Sequence, residues 1–123
     1  MPKILIVDDD PMAAKSLSVL LSVSGYVVEY FLDGEKAIEN SAEFKPDFLV
    51  VDQHLGDGLD GLTVAASIRR QLPGIFSVVI TGNLSEDLTN KIDPLSSTEY
   101  LSKPFQLHEL LGLFRSREAS GTN

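Results

Sequence analysis

The sequence predicts an α/β fold in which a parallel sheet is covered by helices on both faces. Short apolar runs alternate with segments of helical periodicity along the chain, and turn-forming residues separate the two kinds of segment. Parallel strands are connected by right-handed crossovers, so each helix would pack back onto the sheet. The chain has 123 residues, which is the size of one domain with one proper core.

The first half of the chain contains three predicted strands and two predicted helices. Residues 4–7 form an apolar run typical of a buried strand, and Asp10 with Pro11 is typical of a helix start. Gly25 ends this helix, whose residues at helical spacing are Met12, Ser16, Val19, Leu20 and Val23. The next elements are a strand at 27–31, a helix at 35–42 and a strand at 48–51, which ends at Asp52.

The second half continues the alternation. Its predicted elements are a helix at 61–72, a buried strand at 76–80, a weak helix at 84–90 and a short strand at 99–101. Pro73 and Gly74 form a strong stop after the third helix, and Asn83 with Glu86 fits a capping box for the fourth. The last helix is indicated by an i, i+3, i+4, i+7 stripe of Leu107, Leu110, Leu111 and Phe114.

Composition excludes several classes of function. Ten basic residues against eighteen acidic ones give a net charge of −8, which disfavours direct binding of nucleic acid. The absence of cysteine excludes disulfides, thiolate metal sites and cysteine nucleophiles. No apolar run is long enough for a membrane span or a secretory signal, so we expect a cytoplasmic protein.

Polar residues follow the predicted strands where the carboxyl ends of a parallel sheet meet. Asp8 and Asp9 follow the first strand, Asp52 ends the third, Thr81 ends the fourth and Lys103 follows the fifth. Three carboxylates in one cleft repel each other unless a cation joins them, and Mg²⁺ prefers oxygen ligands. This set suits phosphoryl transfer to a carboxylate, and Asp52 on a central strand is the best candidate nucleophile.

Together, these motifs resemble the receiver domain of two-component response regulators. The matching motifs are VDDD after the first strand, Asp52, Thr81-Gly82, and YLSKPF at 100–105. The resemblance runs from Lys3 to about residue 115 and implies a flavodoxin-like, doubly wound five-stranded sheet in the order 2-1-3-4-5. It also implies a receiver domain at 1–117, followed by a tail or truncated linker at 118–123.

The resemblance implies roles for the residues in the cleft. Asp52 would accept a phosphoryl group from the phosphohistidine of a sensor kinase in a reaction that requires Mg²⁺. The metal would be held by Asp8, Asp9, Asp52 and the backbone carbonyl of His54. Thr81 and Lys103 would contact the phosphoryl group.

Further implications concern switching and partners. Tyr100, together with Thr81, would act as the switch, and the peptide bond before Pro104 would be cis. Expected partners are a sensor histidine kinase or phosphotransfer protein, a downstream effector domain or protein, and a second copy in a homodimer. The chain would promote its own phosphorylation and dephosphorylation without being a conventional enzyme.

The loop after the third strand departs from the family pattern. Leu55-Gly56 stands where the family usually has Met-Pro, and the loop to Asp60 is one residue longer. Its Gly56, Gly58 and Gly61 also match a dinucleotide-binding G-x-G-x-x-G. That fingerprint belongs after the first strand, and acidic loop residues would repel a pyrophosphate, so we interpret these glycines as residues that let the loop turn.

Two other functions remain open at the level of sequence. Asp8 and Asp10 form a D-x-D after the first strand, as in haloacid dehalogenase-like phosphatases, but that reading leaves Asp52 without a role. The other alternative is a receiver-like binding module that is never phosphorylated, which the intact set of polar residues disfavours.

Overall fold

Five strands form one parallel sheet with helices on both faces. The computed structural model describes residues 1–56, 58–82 and 97–121, with only the backbone described at 119–121. The strands are β1 (Lys3–Val7), β2 (Val27–Phe31), β3 (Phe48–Asp52), β4 (Phe76–Thr81) and β5 (Thr98–Ser102). The helices are α1 (Pro11–Val23), α2 (Gly34–Phe44), α3 (Gly61–Gln71) and α4 (Leu107–Gly121). The predicted helix at 84–90, with its Asn83–Glu86 capping box, lies outside the described residues.

The strand order confirms the predicted fold class. All neighbouring strands are parallel and follow the order β2-β1-β3-β4-β5, which is the flavodoxin-like, doubly wound arrangement. The order reverses direction between β1 and β3, where Val7 lies opposite Val51. Ligand sites in such sheets lie at this switch point, beyond the carboxyl ends of the strands.

Side chains of the sheet alternate between two apolar cores, one on each face. The core beneath α1 and α4 contains Ile4, Ile6, Leu21, Tyr26, Phe48, Val50, Phe76, Val78, Ile80, Leu110, Leu111 and Phe114. The core beneath α2 and α3 contains Leu5, Val7, Ala37, Leu49, Val51, Leu55, Val64, Ala65, Ile68, Ile75 and Val79. Because β1, β3 and β4 are covered on both sides, their sequences are continuous apolar runs, as predicted.

Helix α1 has apolar residues on two faces. Its buried residues are Ala14 and Leu21, whereas Met12 and Val23 are 78% and 83% exposed. The spaced residues that predicted this helix therefore lie mostly on the exposed face, with Val19 and Leu20 also exposed. Periodicity identifies a helix but does not tell which of two apolar stripes meets the sheet.

The helix ends follow from local chemistry. The Asp10 side chain accepts hydrogen bonds from the N–H groups of Met12 and Ala13, which confirms it as the N-cap of α1. Helix α2 is longer than predicted and ends at Phe44, where the C-cap residue Lys45 has a left-handed backbone with φ 53°. Helix α4 continues to Gly121, so the predicted division at residue 117 falls inside a helix.

The C-terminal part of α4 is attached to the sheet. The Arg117 guanidinium lies 4.8 Å from the centroid of the Phe76 ring and donates a hydrogen bond to the Ser97 hydroxyl. No helix in the described part of the chain combines the length and apolarity needed to cross a membrane.

Candidate functional site

The sheet brings the predicted site residues to one edge. Asp8 and Asp9 follow directly after β1, while Asp52 and Thr81 are the last residues of β3 and β4. Lys103 follows β5, and its N–H donates to the Thr81 carbonyl at 2.8 Å. Four neighbouring strands therefore place these polar groups at the switch point of the sheet.

Asp52 and Lys103 form the central contact of the site. The Lys103 ammonium donates to Asp52 Oδ2 at 2.9 Å, and Asp52 is buried while the Lys103 side chain is 45% exposed. This hydrogen bond raises the pKa of Lys103; burial opposes it, and the charge of Asp52 adds a smaller upward effect. The ammonium therefore stays protonated beside the carboxylate at neutral pH.

Two further carboxylates surround Asp52. Asp8, Asp9 and Asp52 each offer an oxygen, and these oxygens all lie within 4.8 Å of one another. Burial raises the pKa of Asp8 above its ordinary value of 3.8. The Asp10 N–H, which donates to Asp8 Oδ1 at 3.0 Å, lowers this pKa, whereas the charge of Asp52 raises it further.

This donor set fits Mg²⁺. The ion binds oxygen ligands at about 2.1 Å, so oxygens around one ion lie roughly 3–4 Å apart, which is compatible with carboxylate oxygens that all lie within 4.8 Å of one another. In the described part of the chain, Lys103 alone offers an ammonium to the three carboxylates and does not neutralise them, and burial of Asp8 increases the cost of leaving the charges uncompensated.

The remaining predicted residues differ in their burial and contacts. Thr81 is 1% exposed, and His54 is an exposed residue whose N–H lies 3.4 Å from Asp52 Oδ1. Tyr100 is half-buried against the core beneath α2 and α3, and its hydroxyl oxygen is buried with no hydrogen-bond partner among the described residues. Burial raises the pKa of this phenol, and the charge of Asp60 adds to the effect. The Lys103–Pro104 peptide bond is cis.

The glycine-rich loop shapes the acidic cluster rather than a nucleotide site. Gly56 has a left-handed φ of 70°, and a Cβ there would lie 3.2 Å from Asp9 Oδ2. Gly61 corrects the interpretation that all these glycines serve to turn the loop, because it is the first residue of α3. A Cβ on Gly61 would lie 2.6 Å from the Asp52 carbonyl oxygen, so its role is close approach to the Asp52 backbone. Asp57 lies outside the described residues.

The D-x-D alternative fails on geometry. The Asp10 carboxylate is exposed and occupied as the N-cap of α1, and the acidic cluster contains Asp8 without Asp10. Asp60 is likewise a helix cap, since its side chain accepts from Thr63 N–H at 2.8 Å.

Gln53 is a site residue that the sequence did not single out. It is buried directly after Asp52, and its side-chain oxygen accepts from the Leu62 N–H at 3.1 Å. A polar residue between a buried strand and a glycine-rich loop was the available signal, but its partner on α3 depends on the tertiary structure.

Comparison with known proteins identifies the family of this chain. The model of the response regulator receiver domain family matches residues 4–115. The chain is 33% identical over 118 residues to the DNA-binding dual master transcriptional regulator RpaA of Synechocystis, covering 94% of this chain and 48% of RpaA. It is 37% identical over 116 residues to the response regulator MprA of Mycobacterium ulcerans, covering 93% and 49%. The chain thus spans about half the length of the curated relatives that it matches.

Solved structures agree with this result. The signal receiver domain of an HD domain-containing protein from Pseudomonas fluorescens Pf-5 has a TM-score of 0.85 and 30% identity, covering 99% of this chain and 98% of that one. The chemotaxis protein CheY4 of Vibrio cholerae, at 24% identity and a TM-score of 0.85 over 94% and 98% of the two chains, shares the fold. With the carboxylate cluster and Lys103 at the expected edge of that fold, this chain belongs to the response regulator receiver domain family.

Proposed function

We propose that this chain is a phosphorelay signalling switch in which Asp52 becomes an aspartyl phosphate. The observation that carries the proposal is the Asp52 carboxylate, held at 2.9 Å by the Lys103 ammonium with Asp8 and Asp9 beside it. The phosphoryl donor would be a phosphohistidine of a sensor histidine kinase or of a phosphotransfer protein.

The chemistry is one in-line displacement. An Asp52 oxygen forms a bond to phosphorus while the bond between phosphorus and the donor imidazole nitrogen breaks, and that nitrogen keeps the electron pair. Lys103 neutralises negative charge on the phosphoryl oxygens and fixes the direction of the attacking carboxylate. Thr81, buried at the end of β4, is the hydroxyl that would contact the transferred group.

Asp8, Asp9 and Asp52 would hold Mg²⁺, together with the backbone carbonyl of His54. When bound, the cation supplies positive charge to the phosphoryl oxygens and removes the repulsion among the carboxylates. The lack of a side chain on Gly56 leaves room beside Asp9 for this group of ligands.

Thr81 and Tyr100 would convert the modification into a change of surface. We expect Thr81 and Lys103 to move toward the phosphoryl group and Tyr100 to take up the space that Thr81 leaves. The Tyr100 hydroxyl supports this role, because it is buried without a hydrogen-bond partner among the described residues, and an unpaired buried polar group costs about 1–3 kcal/mol that a rearrangement can recover. The surface affected includes β5 and α4, and it would contact the partners.

The exposed apolar stripe of α1 would give the donor protein a contact surface. Its first residue, Met12, lies three positions after Asp9 of the acidic cluster, so a protein that presents a phosphohistidine to Asp52 would also cover the start of α1. Downstream, RpaA is described as DNA-binding and PrrA of Mycobacterium leprae as a transcriptional regulatory protein, which supports an effector domain or protein as the target. Homodimer formation, a cytoplasmic location and the absence of direct nucleic acid binding stay predictions.

The chain would act on itself alone. It would promote its own phosphorylation, and slow attack of water on the aspartyl phosphate would release phosphate and regenerate Asp52. It would therefore not turn over an external substrate as an enzyme does.

The proposal is tested with acetyl phosphate as donor and intact-mass measurement as readout. The wild type should gain one phosphoryl group in MgCl₂ and none in EDTA, and Asp52→Asn should gain none in either. Asp10→Asn is the matched control, because it removes one charge near the site and keeps a residue that caps helices equally well. Phosphorylation of Asp52→Asn, or its loss in Asp10→Asn, would overturn the assignment.

A further inference from the structure

We propose that Gln53 is a positioning residue for phosphoryl transfer, because it clamps the start of α3 to the end of β3 and so fixes the Asp52 carboxylate. This inference rests on the proposed function. The Gln53 side chain would act through the neighbouring Asp52 and not by contact with the phosphoryl group.

Gln53 is hydrogen-bonded to two different elements. Its N–H donates to the Ile80 carbonyl on β4 at 2.9 Å, and its main-chain carbonyl accepts from the Gly61 N–H on α3 at 3.0 Å. Its side-chain Oε1 accepts from the Leu62 N–H, also on α3, at 3.1 Å. The residue next to the acceptor therefore connects the sheet to the first turn of α3.

The backbone contact at Gly61 makes this connection tight. A Cβ on Gly61 would lie 2.6 Å from the Asp52 carbonyl oxygen and 2.9 Å from the Gln53 Cα. The first residue of α3 thus packs directly on the peptide group that follows the acceptor. A change in the position of α3 is transmitted to this peptide, since no flexible side chain lies between them.

The clamp separates Asp52 from the unusual loop. Gln53 precedes this loop and Gly61 and Leu62 follow it, so the contacts between Gln53 and α3 close the loop at its base. A loop that is one residue longer than the family pattern can therefore leave the acceptor geometry unchanged. Misplacement of a reacting group by about 1 Å can cost up to roughly 100-fold in rate, so a side chain that fixes the base of the loop has an effect on the chemistry.

A purely structural role is the competing explanation. The Gln53 side chain satisfies one of the first N–H groups of α3, and the Asp60 side chain satisfies another by accepting from the Thr63 N–H. Both residues cap the same helix, but only Gln53 adjoins the acceptor. Asp60→Ala is therefore a matched control for loss of a cap.

The test compares rates of acyl phosphate formation from acetyl phosphate in excess MgCl₂, followed by intact mass. Gln53→Met keeps the side-chain length but removes the acceptor oxygen, and we expect its rate to fall about tenfold. Gln53→Glu keeps an acceptor oxygen and should restore the rate to within about twofold of the wild type. Asp60→Ala should keep a rate near that of the wild type, although the urea concentration at its unfolding midpoint should fall as much as that of Gln53→Met.

The outcomes separate the two proposals. A wild-type rate in Gln53→Met, a Gln53→Glu variant as slow as Gln53→Met, or an equally slow Asp60→Ala would overturn the positioning role. A wild type that takes up no phosphoryl group would instead overturn the proposed function. If far-UV circular dichroism shows that Gln53→Met does not fold, Gln53→Asn replaces it, because its shorter side chain keeps the amide but does not reach Leu62.

Discussion

Replacing Asp8 with Asn should stabilise the metal-free protein and remove most of its response to Mg²⁺. Oxygens of Asp8, Asp9 and Asp52 lie within 4.8 Å of one another, with one ammonium nearby. Two unit charges at that distance repel by about 3.5 kcal/mol with an effective dielectric constant of about 20. Lost attraction to Lys103 offsets part of the relief, and solvent screens the exposed Asp9, so we expect a net gain of about 1–2 kcal/mol.

The same substitution weakens the metal site. A cation at 100 times its dissociation constant stabilises the folded wild type by about 2.7 kcal/mol, and loss of one carboxylate ligand should remove most of this. For a domain of this size, 1 kcal/mol corresponds to about 4 °C in Tm. In EDTA the Asp8→Asn variant should melt several degrees above the wild type. In excess MgCl₂ this difference in Tm should become smaller or change sign.

Thermal unfolding followed by far-UV circular dichroism measures these differences, with Asp10→Asn as the equal-charge control. The raised pKa of Asp8 gives the sign of the pH dependence. Its neutral form is favoured in the folded state, so the advantage of Asp8→Asn over the wild type should be full at pH 7 and shrink as pH falls through the raised pKa toward 3.8. Equal melting temperatures in EDTA, or an undiminished Mg²⁺ effect in Asp8→Asn, would refute the reasoning.

Three further predictions concern the packing of two glycines, the charge of Lys103 and the ionisation of Tyr26. Gly61→Ala should destabilise the protein by about 1–3 kcal/mol, because the added Cβ would meet backbone atoms. Gly112→Ala should stabilise it by about 1 kcal/mol, because no atom lies within 4 Å of the added Cβ. Urea denaturation measures both variants, and equal effects would contradict the prediction. Lys103→Met should slow phosphoryl uptake from acetyl phosphate about 100-fold by intact mass, whereas the exposed Lys36→Met should leave it unchanged. Burial and the hydrogen bond to Glu118 raise the pKa of Tyr26. The stability that this gives is therefore full below pH 10.0 and should be lost as pH rises through the raised pKa. Tyr26→Phe should make this loss smaller, and an unchanged dependence of stability on pH, measured by urea denaturation, would contradict the prediction.

The sheet was predictable because its three central strands are buried on both faces. Uninterrupted apolar runs such as that of β1 have no other stable place in a fold of this size, and the parallel order then fixes where Asp52 and Lys103 lie. The orientation of α1 was not predictable from the spacing of its apolar residues alone. Both of its faces carry apolar residues, and only the packing of Leu21 against the sheet decides which one is buried.

The contacts around Asp52 could not be predicted from the sequence. The role of Gly61 depends on the distance between two backbones, and that of Gln53 depends on an N–H group nine residues away. The buried hydroxyl of Tyr100 is a property of packing as well. Sequence motifs identify the residues that carry the chemistry, but the residues that position them emerge only from the tertiary structure.

The most direct test of the central claim is to locate the phosphoryl group. Borohydride reduces an acyl phosphate to an alcohol, so protein treated with acetyl phosphate and MgCl₂ and then reduced should contain homoserine in place of the phosphorylated aspartate. Peptide mass spectrometry should find homoserine at Asp52 alone, and none when EDTA replaces MgCl₂. Homoserine at Asp8 or at another acidic residue, or its absence from every peptide, would contradict the assignment of Asp52 as the phosphoacceptor.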